Sequence, residues 1–309
     1  MNILFGFALG LALLFWGMRL LKLGLENAAG SSFSGVLQKL TANPVMGLAT
    51  GTVLTALVQS STAVTVFSIS LVNAGLMTFE RTLGIILGTN IGSTVTAQLM
   101  AFDLGALALP AVTLGGLLFL LAKGGWKWFG LGIIGFGLVF FGINQMGAAL
   151  RPLGSSTKFM AFLNQLGDNH MLGVGAGTLL AGMIHSSGVT TGMVIVLASQ
   201  NLITLPTAIA IVLGANMGTC ITAVLASIGG DTGAKRVALS HLLLNIFGVA
   251  AFYPFLIPYS NLMAALASDL GRQVAHAHTF FNLMSSLIIL PFVGPFARLV
   301  CFLLPEKGR

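Results

Sequence analysis

Long apolar runs separated by short polar breaks fill this sequence from end to end. At a helical rise of ~1.5 Å per residue, about twenty apolar residues cross the hydrocarbon layer of a bilayer. On that ruler the pattern predicts full-length spans at about 3–21, 82–103, 105–122, 128–150, 205–228, 237–258 and 279–304. Two stretches do not fit. Residues 45–73 and 171–200 are each too long for one comfortable crossing and too short for two, and each carries hydroxyl and amide side chains at its middle. A re-entrant helical hairpin, which dips into the membrane and returns to the same side, fits that length and that polar centre. The first run continues from Ile3 to Leu21 with no basic leader and no convincing small-residue cleavage site, so it reads as a retained first helix.

The two odd stretches are copies of each other. Gln59-Ser60-Ser61-Thr62 aligns with His185-Ser186-Ser187-Gly188, and Leu87-Gly88-Thr89-Asn90-Ile91-Gly92-Ser93 aligns with Leu213-Gly214-Ala215-Asn216-Met217-Gly218-Thr219. Both alignments share one offset, since 186 − 60 = 126 and 216 − 90 = 126. Thr65 with Thr191, Leu76 with Leu202, Thr78 with Thr204 and Ile85 with Ile211 keep the same register. Ungapped matching of Ser, Asn and Gly is not what chance gives between apolar segments. Upstream, Phe15-Trp16-Gly17 resembles Phe140-Phe141-Gly142 with one residue of slip. The expected architecture is one all-α polytopic membrane domain over 1–309, with about seven full spans and two hairpins. Repeat one covers about 3–122, repeat two about 128–258, and an extra C-terminal helix about 279–304. With the hairpins re-entering, three spans separate equivalent points and the copies have inverted topology, a common transporter plan.

Composition agrees with a membrane protein. Hydrophobic residues make up 56% of the chain and charged ones 7%, against about 25% charge in soluble domains, which excludes a soluble enzyme. The net charge of +7 lies in breaks between apolar runs, so it reads as topology and not as a nucleic-acid surface. Under the inverted topology Arg19, Lys22, Lys39, Arg81, Lys123, Lys127, Lys235, Arg236, Arg298, Lys307 and Arg309 share one side. Arg151, Lys158 and Arg272 take the other, so the 14 cationic residues divide as 11 + 3. The richer side is then cytoplasmic, with the protein multi-pass in the plasma membrane (a bacterial inner membrane). Reading the polar stretches as single crossings divides them ten to four, so charge alone does not choose. Cys220 and Cys301 both lie inside apolar segments, which implies neither a disulfide framework nor a metal site.

A helix interrupted inside the bilayer leaves N–H groups at one fragment's start and C=O groups at the other's end, each costly in lipid. At the first tip Gln59, Ser60, Ser61 and Thr62 can satisfy them, and the N–H groups opening the next half-helix can hold an anion with help from the dipole. Nearby carbonyls and hydroxyls suit a hard cation such as Na⁺. The second copy supplies His185, Ser186, Ser187, Thr190 and Thr191, and inverted copies bring both tips together near the midplane. Thr65, Asn90 and Asn216 complete the candidates, the two Asn either lining or bracing the site. The bland reading of any single Ser or Thr is a bond back to its own helix or glue between helices. Gly84, Gly88 and Gly92, answered by Ala210, Gly214 and Gly218, give faces for close helix packing.

No Asp or Glu stands at the centre of a span, which favours coupling to Na⁺ through neutral oxygens over a proton relay. His185 is the titratable exception, and a neutral His acting like an amide is its plainer role. His241 with Asn245 and His278 with Asn282 share an H-x-x-x-N spacing on one helix face, expected to serve interhelical hydrogen bonds. Ser155-Ser156-Thr157-Lys158 matches S-x-x-K only nominally, in what reads as a short polar loop.

On these residues the chain resembles the sodium-dependent phosphate cotransporter family, the type II Na⁺/phosphate cotransporters and their bacterial relatives. The resemblance rests on Gln59-Ser60-Ser61-Thr62-Ala63, its echo His185-Ser186-Ser187-Gly188-Val189, and the paired Gly-Thr-Asn-Ile-Gly and Gly-Ala-Asn-Met-Gly segments. It covers nearly the whole chain. It implies inverted repeats, inorganic phosphate as substrate, Na⁺ as the coupling ion with no other cofactor, and Gln59, Ser60, Ser61, Thr62, Ser186 and Ser187 at the site. His185 departs from the family's Gln, and Gly188 from a common hydroxyl residue. The resemblance further implies a bacterial member without the soluble helical domain that follows the membrane part in longer relatives. The expected function is Na⁺-coupled phosphate symport by alternating access, with a phosphate exporter, a passive anion channel or a non-transporting subunit as the competing readings. A homodimer is compatible with the sequence.

Overall fold

The structure, a computed structural model, describes residues 3–29 and 43–306. Lys39, Lys307 and Arg309, placed on the cationic side above, lie outside them. Helices follow one another as α1 (Ile3–Ala29), α2 (Pro44–Val58), α3 (Ser61–Asn73), α4 (Phe79–Met100), α5 (Ala108–Leu121), α6 (Gly125–Leu150) and α7 (Thr157–Asp168). Then come α8 (His170–Ile184), α9 (Ser187–Ser199), α10 (Leu205–Ala226), α11 (Thr232–Phe252), α12 (Leu256–Ala264), α13 (Leu270–Ile289) and α14 (Val293–Leu303).

The offset of 126 reappears in three dimensions. α2, α3 and α4 return as α8, α9 and α10 with identical bounds. Asn43 and Asn169 cap the starts of α2 and α8, and Ser60 and Ser186 cap α3 and α9. Gly75 and Asn201 both turn the chain out of the return helix with positive φ.

Glycines set how these helices meet. In both copies the outer pair runs parallel. A Cβ at Gly84 would collide with Pro44, one at Gly88 with Leu48 and Thr52, and one at Gly92 with Thr52 and Thr55. Gly214 and Gly218 approach Val174 and Thr178 in the same way. Because α4 starts level with the start of α2, α3 runs back between them. α1 and α6, the upstream counterparts, pack antiparallel: Gly10 meets Gly142 and Met146, Gly17 meets Gly135 and Val139, and Gly24 meets Trp128 and Gly132.

Among the described residues six helices are long and apolar enough to cross a membrane, one fewer than the pattern predicted. The missing span is 105–122. It splits into a 3₁₀ turn, Gly105–Leu107, and the 14-residue α5, which at 1.5 Å per residue covers only about 21 Å. The segment expected at 279–304 begins earlier, at Leu270, and is interrupted by a 3₁₀ turn at Leu290–Phe292, where Pro291 lacks the N–H that a continuous helix needs. Likewise 237–258 starts at Thr232 and breaks at Tyr253–Phe255 beside Pro254. Thr157 and Lys158, expected in a short polar loop, instead open the amphipathic α7, capped by Ser156, whose Oγ accepts from the Phe159 N–H. Ser155, the serine of the nominal S-x-x-K match, donates its hydroxyl to the Pro152 carbonyl at 2.8 Å.

These two broken helices are themselves related. At an offset of 37 (278 − 241 = 37), the bounds of α11, its 3₁₀ turn and α12 correspond in register to those of α13, its turn and α14. Val237/Val274, His241/His278, Asn245/Asn282, Pro254/Pro291, Phe255/Phe292 and Pro258/Pro295 are identical. Apolar side chains such as Leu4, Phe5, Trp16, Leu120, Leu121 and Phe302 stand exposed around the outside, as a lipid-facing surface requires.

Candidate functional site

Both helix breaks open into one cavity of about 340 Å³. From the first copy Gln59, Ser60, Ser61 and Thr62 line it; from the second, His185, Ser186, Ser187 and Gly188. At each break the chain turns through a left-handed residue, Gln59 at φ 56° and His185 at φ 57°, and the next helix starts at once. Neither is glycine, so each carries backbone strain at the tip.

The serine that follows caps the return helix. Ser60 Oγ accepts from the Ala63 N–H at 3.1 Å, and Ser186 Oγ from the Val189 N–H at 3.2 Å. The capping bond uses an oxygen lone pair and leaves the hydroxyl proton to donate. The N–H groups of Ser61, Thr62, Ser187 and Gly188 have no carbonyl four residues back in their helices, so two sets of backbone donors and two positive dipole ends converge on the same space. Gln59 spans the gap to α4: its Oε1 accepts from Thr96 Oγ1 at 2.7 Å while its amide donates to the Ala56 carbonyl. Ser93, Thr96, Thr219 and Thr222 complete the polar wall from α4 and α10.

α1 adds what the sequence reading missed. Arg19 and Lys22 also line the cavity, with Phe15 and Met18. Lys22 lies 3.8 Å from Glu26 one turn on, whereas among the described residues no acidic side chain borders the cavity. Cations therefore stand at the edge of this cavity, on the first helix, where the charge count read them as topology. The i, i+3 spacing of Arg19 and Lys22 was the available signal, since it puts both on one helix face with Phe15.

Five expected residues sit behind the cavity and do not line it. Thr190 Oγ1 bonds back to the Ser186 carbonyl at 3.1 Å. Thr65 and Thr191 are buried one turn into α3 and α9, and their hydroxyls have no partner among the described residues. Asn90 and Asn216 are braces. His241 Nε2 lies 3.3 Å from Asn90 Oδ1, and His278 Nε2 lies 3.3 Å from Asn216 Oδ1. Asn216 Nδ2 donates to the Val212 carbonyl at 2.9 Å, which fixes its Oδ1 as acceptor and the imidazole Nε2–H as donor. The interhelical role expected for these pairs holds for both histidines and for Asn245, which donates to Cys220 Sγ at 3.3 Å as well as to the His241 carbonyl, while Asn282 donates to the His278 carbonyl of its own helix. Thus α11 is tied to the first copy and α13 to the second by the same bond. Removing one imidazole leaves a buried amide oxygen unpaired, worth about 1–3 kcal/mol. His278→Ala is expected to lower thermal stability in detergent by that amount, and Asn216→Ala in the same chain to cost less than the sum of the singles.

Comparison with known proteins decides the family at this point. A model described as Na+/Pi-cotransporter matches twice, over residues 13–148 and 144–285. The chain belongs to the Na⁺/Pi-cotransporter family. The double match follows the duplication, and it makes the protein a multi-pass membrane transporter and not an enzyme. The chain is 34% identical over 259 residues to "Uncharacterized protein YqeW" of Bacillus subtilis, covering 84% of each chain. It is 30% identical over 258 residues to "Putative inorganic phosphate export protein YjbB" of Salmonella typhimurium, covering 83% of this chain and 47% of that one, so it spans about half the length of that relative. Human "Sodium-dependent phosphate transport protein 2B" is 36% identical over 102 residues, 32% of this chain and 14% of its own. No solved structure matches.

Proposed function

We propose that this family member is a secondary active transporter that moves inorganic phosphate together with Na⁺ by alternating access between two inverted repeats. The observation that carries the reading is the meeting of two serine-capped helix starts in one cavity edged by Arg19 and Lys22 and, among the described residues, free of lining carboxylates. Backbone N–H groups, hydroxyl protons and a guanidinium are what a tetrahedral oxyanion needs. Gln59, Ser60, Ser61, Thr62, His185, Ser186 and Ser187 are its binding residues in this proposal. Thr65 and Thr191 contribute neutral, unpartnered oxygens one turn deeper, suited to a desolvated Na⁺.

The antiparallel packing of α1 on its counterpart α6 supports inversion of the copies, and the parallel packing of α2 on α4 supports re-entrant hairpins. Repeat one then takes about 3–122 and repeat two about 128–258. Names of relatives support phosphate as the substrate, and the YjbB name favours a second reading in which the net flux is outward.

Titrating the purified protein with labelled phosphate in NaCl and in KCl tests the site. Binding that is tighter in Na⁺ and weakened about ten- to hundredfold in Ser60→Ala and Ser186→Ala is expected. Absence of binding in both salts would end the proposal.

A further inference from the structure

A second cavity, of about 700 Å³, lies under the end of α4, the second half of α6, the end of α9 and the start of α13. It is separated from the first along the same helices. On α4, Thr96 lines the first and Met100 the second; on α9, Val189 lines the first and Ile195 the second. Those steps of four and six residues amount to about 6–9 Å. Between them Leu14 and Met100 are buried and close over Gly192, where even a Cβ would meet Met100 Sδ at 2.8 Å and Leu14 at 3.4 Å.

The duplication relates the two cavities. Phe15, Met18, Arg19 and Lys22 line the first; at the upstream offset (140 − 15 = 125) their counterparts Phe140, Ile143, Asn144 and Gly147 line the second. One helix face is thus used twice, at opposite ends of an antiparallel helix pair. Arg19 and Arg151 stand about 25 Å apart along that pair, close to the thickness of the hydrocarbon layer.

Cations mark this cavity too. Arg151 Nε donates to Gln200 Oε1 at 3.3 Å, and the Arg272 guanidinium lies 4.4 Å over the Phe102 ring, so both are held at the wall. Asp103 and Asp269 also line it, Asp269 accepting the Arg272 N–H as the cap of α13.

We propose that this cavity is the vestibule on the opposite membrane face, in which Arg151 and Arg272 receive a phosphate oxyanion, and that Leu14 and Met100 over Gly192 form the gate closed in this state. The two carboxylates suit the cation that accompanies the anion. The inference rests on the phosphate-transport reading of the first cavity.

Asn144→Cys in a Cys301→Ser background, in sealed vesicles of each orientation, tests it with a membrane-impermeant maleimide. Labelling is expected only from the face bearing Arg151, slowed at least threefold by sodium phosphate and not by sodium chloride. Arg151→Gln with Arg272→Gln is expected to remove that protection. No labelling from that face while the denatured protein labels, no effect of phosphate, or protection that survives the double substitution would each overturn the proposal. Protection in a protein that shows no Na⁺-driven phosphate flux would instead overturn symport and leave the vestibule standing.

Discussion

Ser60→Asp and Ser186→Asp are expected to keep the fold and abolish phosphate transport, whereas Ser60→Thr and Ser186→Thr keep both. The contrast follows from what each serine does twice. Its oxygen caps a helix, accepting from Ala63 or Val189, and its hydroxyl proton is left to donate at the wall of the shared cavity. Asp is as good a cap as Ser, so the return helix keeps its start; the carboxylate then occupies the place of the anion and repels it. Ser→Ala separates the roles by magnitude. Losing the cap costs about 1 kcal/mol of stability. Losing a hydrogen bond to a charged ligand costs about 1.5–3 kcal/mol, or roughly a ten- to hundredfold rise in the phosphate needed for half-maximal flux. Thermal melts and uptake on the same preparations check both. Unchanged uptake in the Asp variants would leave the serines as helix caps alone.

Gly214→Val is expected to cost the protein its fold. The α8 and α10 backbones touch at this point, and a Cβ would overlap the Val174 carbonyl, which no rotamer change relieves. Forcing atoms into such a contact costs about 1–3 kcal/mol and more where backbone must move. Gly88→Val should do the same between α2 and α4. Gly116→Ala on α5 is the control: nothing lies within 4 Å of its added Cβ, and replacing a helical Gly gains about 0.5–1 kcal/mol. Yield of monodisperse protein and melting midpoints should rank Gly116→Ala at or above the parent and Gly214→Val far below. Equal yields would mean that the two helices do not depend on this approach.

The duplication and both tips were legible from residues alone, because Ser, Asn and Gly in apolar surroundings carry information that Leu and Val do not. That information placed both helix breaks and the shared offset, while the spans read at 82–103 and 205–228 are helices at Phe79–Met100 and Leu205–Ala226. Residues 105–122 read as a span because hydropathy measures composition and does not see where a helix stops; the start at Ala108 is a matter of backbone geometry. The offset of 37 is faint in the sequence for a related reason. Its shared residues are mostly Pro, Phe and Val scattered over two broken helices, and only the His-x-x-x-N pairs stood out. Arg19 and Lys22 reach the site through the packing of α1 across both tips, a contact between distant segments. Asn90 and Asn216 could be recognised as special, but that each is held by an imidazole from α11 or α13 needed coordinates.

The measurement that bears most directly on a shared two-tip site in a coupled transporter is labelled phosphate flux in proteoliposomes with an imposed Na⁺ gradient. Phosphate should accumulate above its equilibrium level with a Na⁺ gradient and not with an equal K⁺ gradient, and both Ser→Asp variants should abolish it. Flux that only dissipates a phosphate gradient and ignores Na⁺, or accumulation that survives both substitutions, would contradict the account.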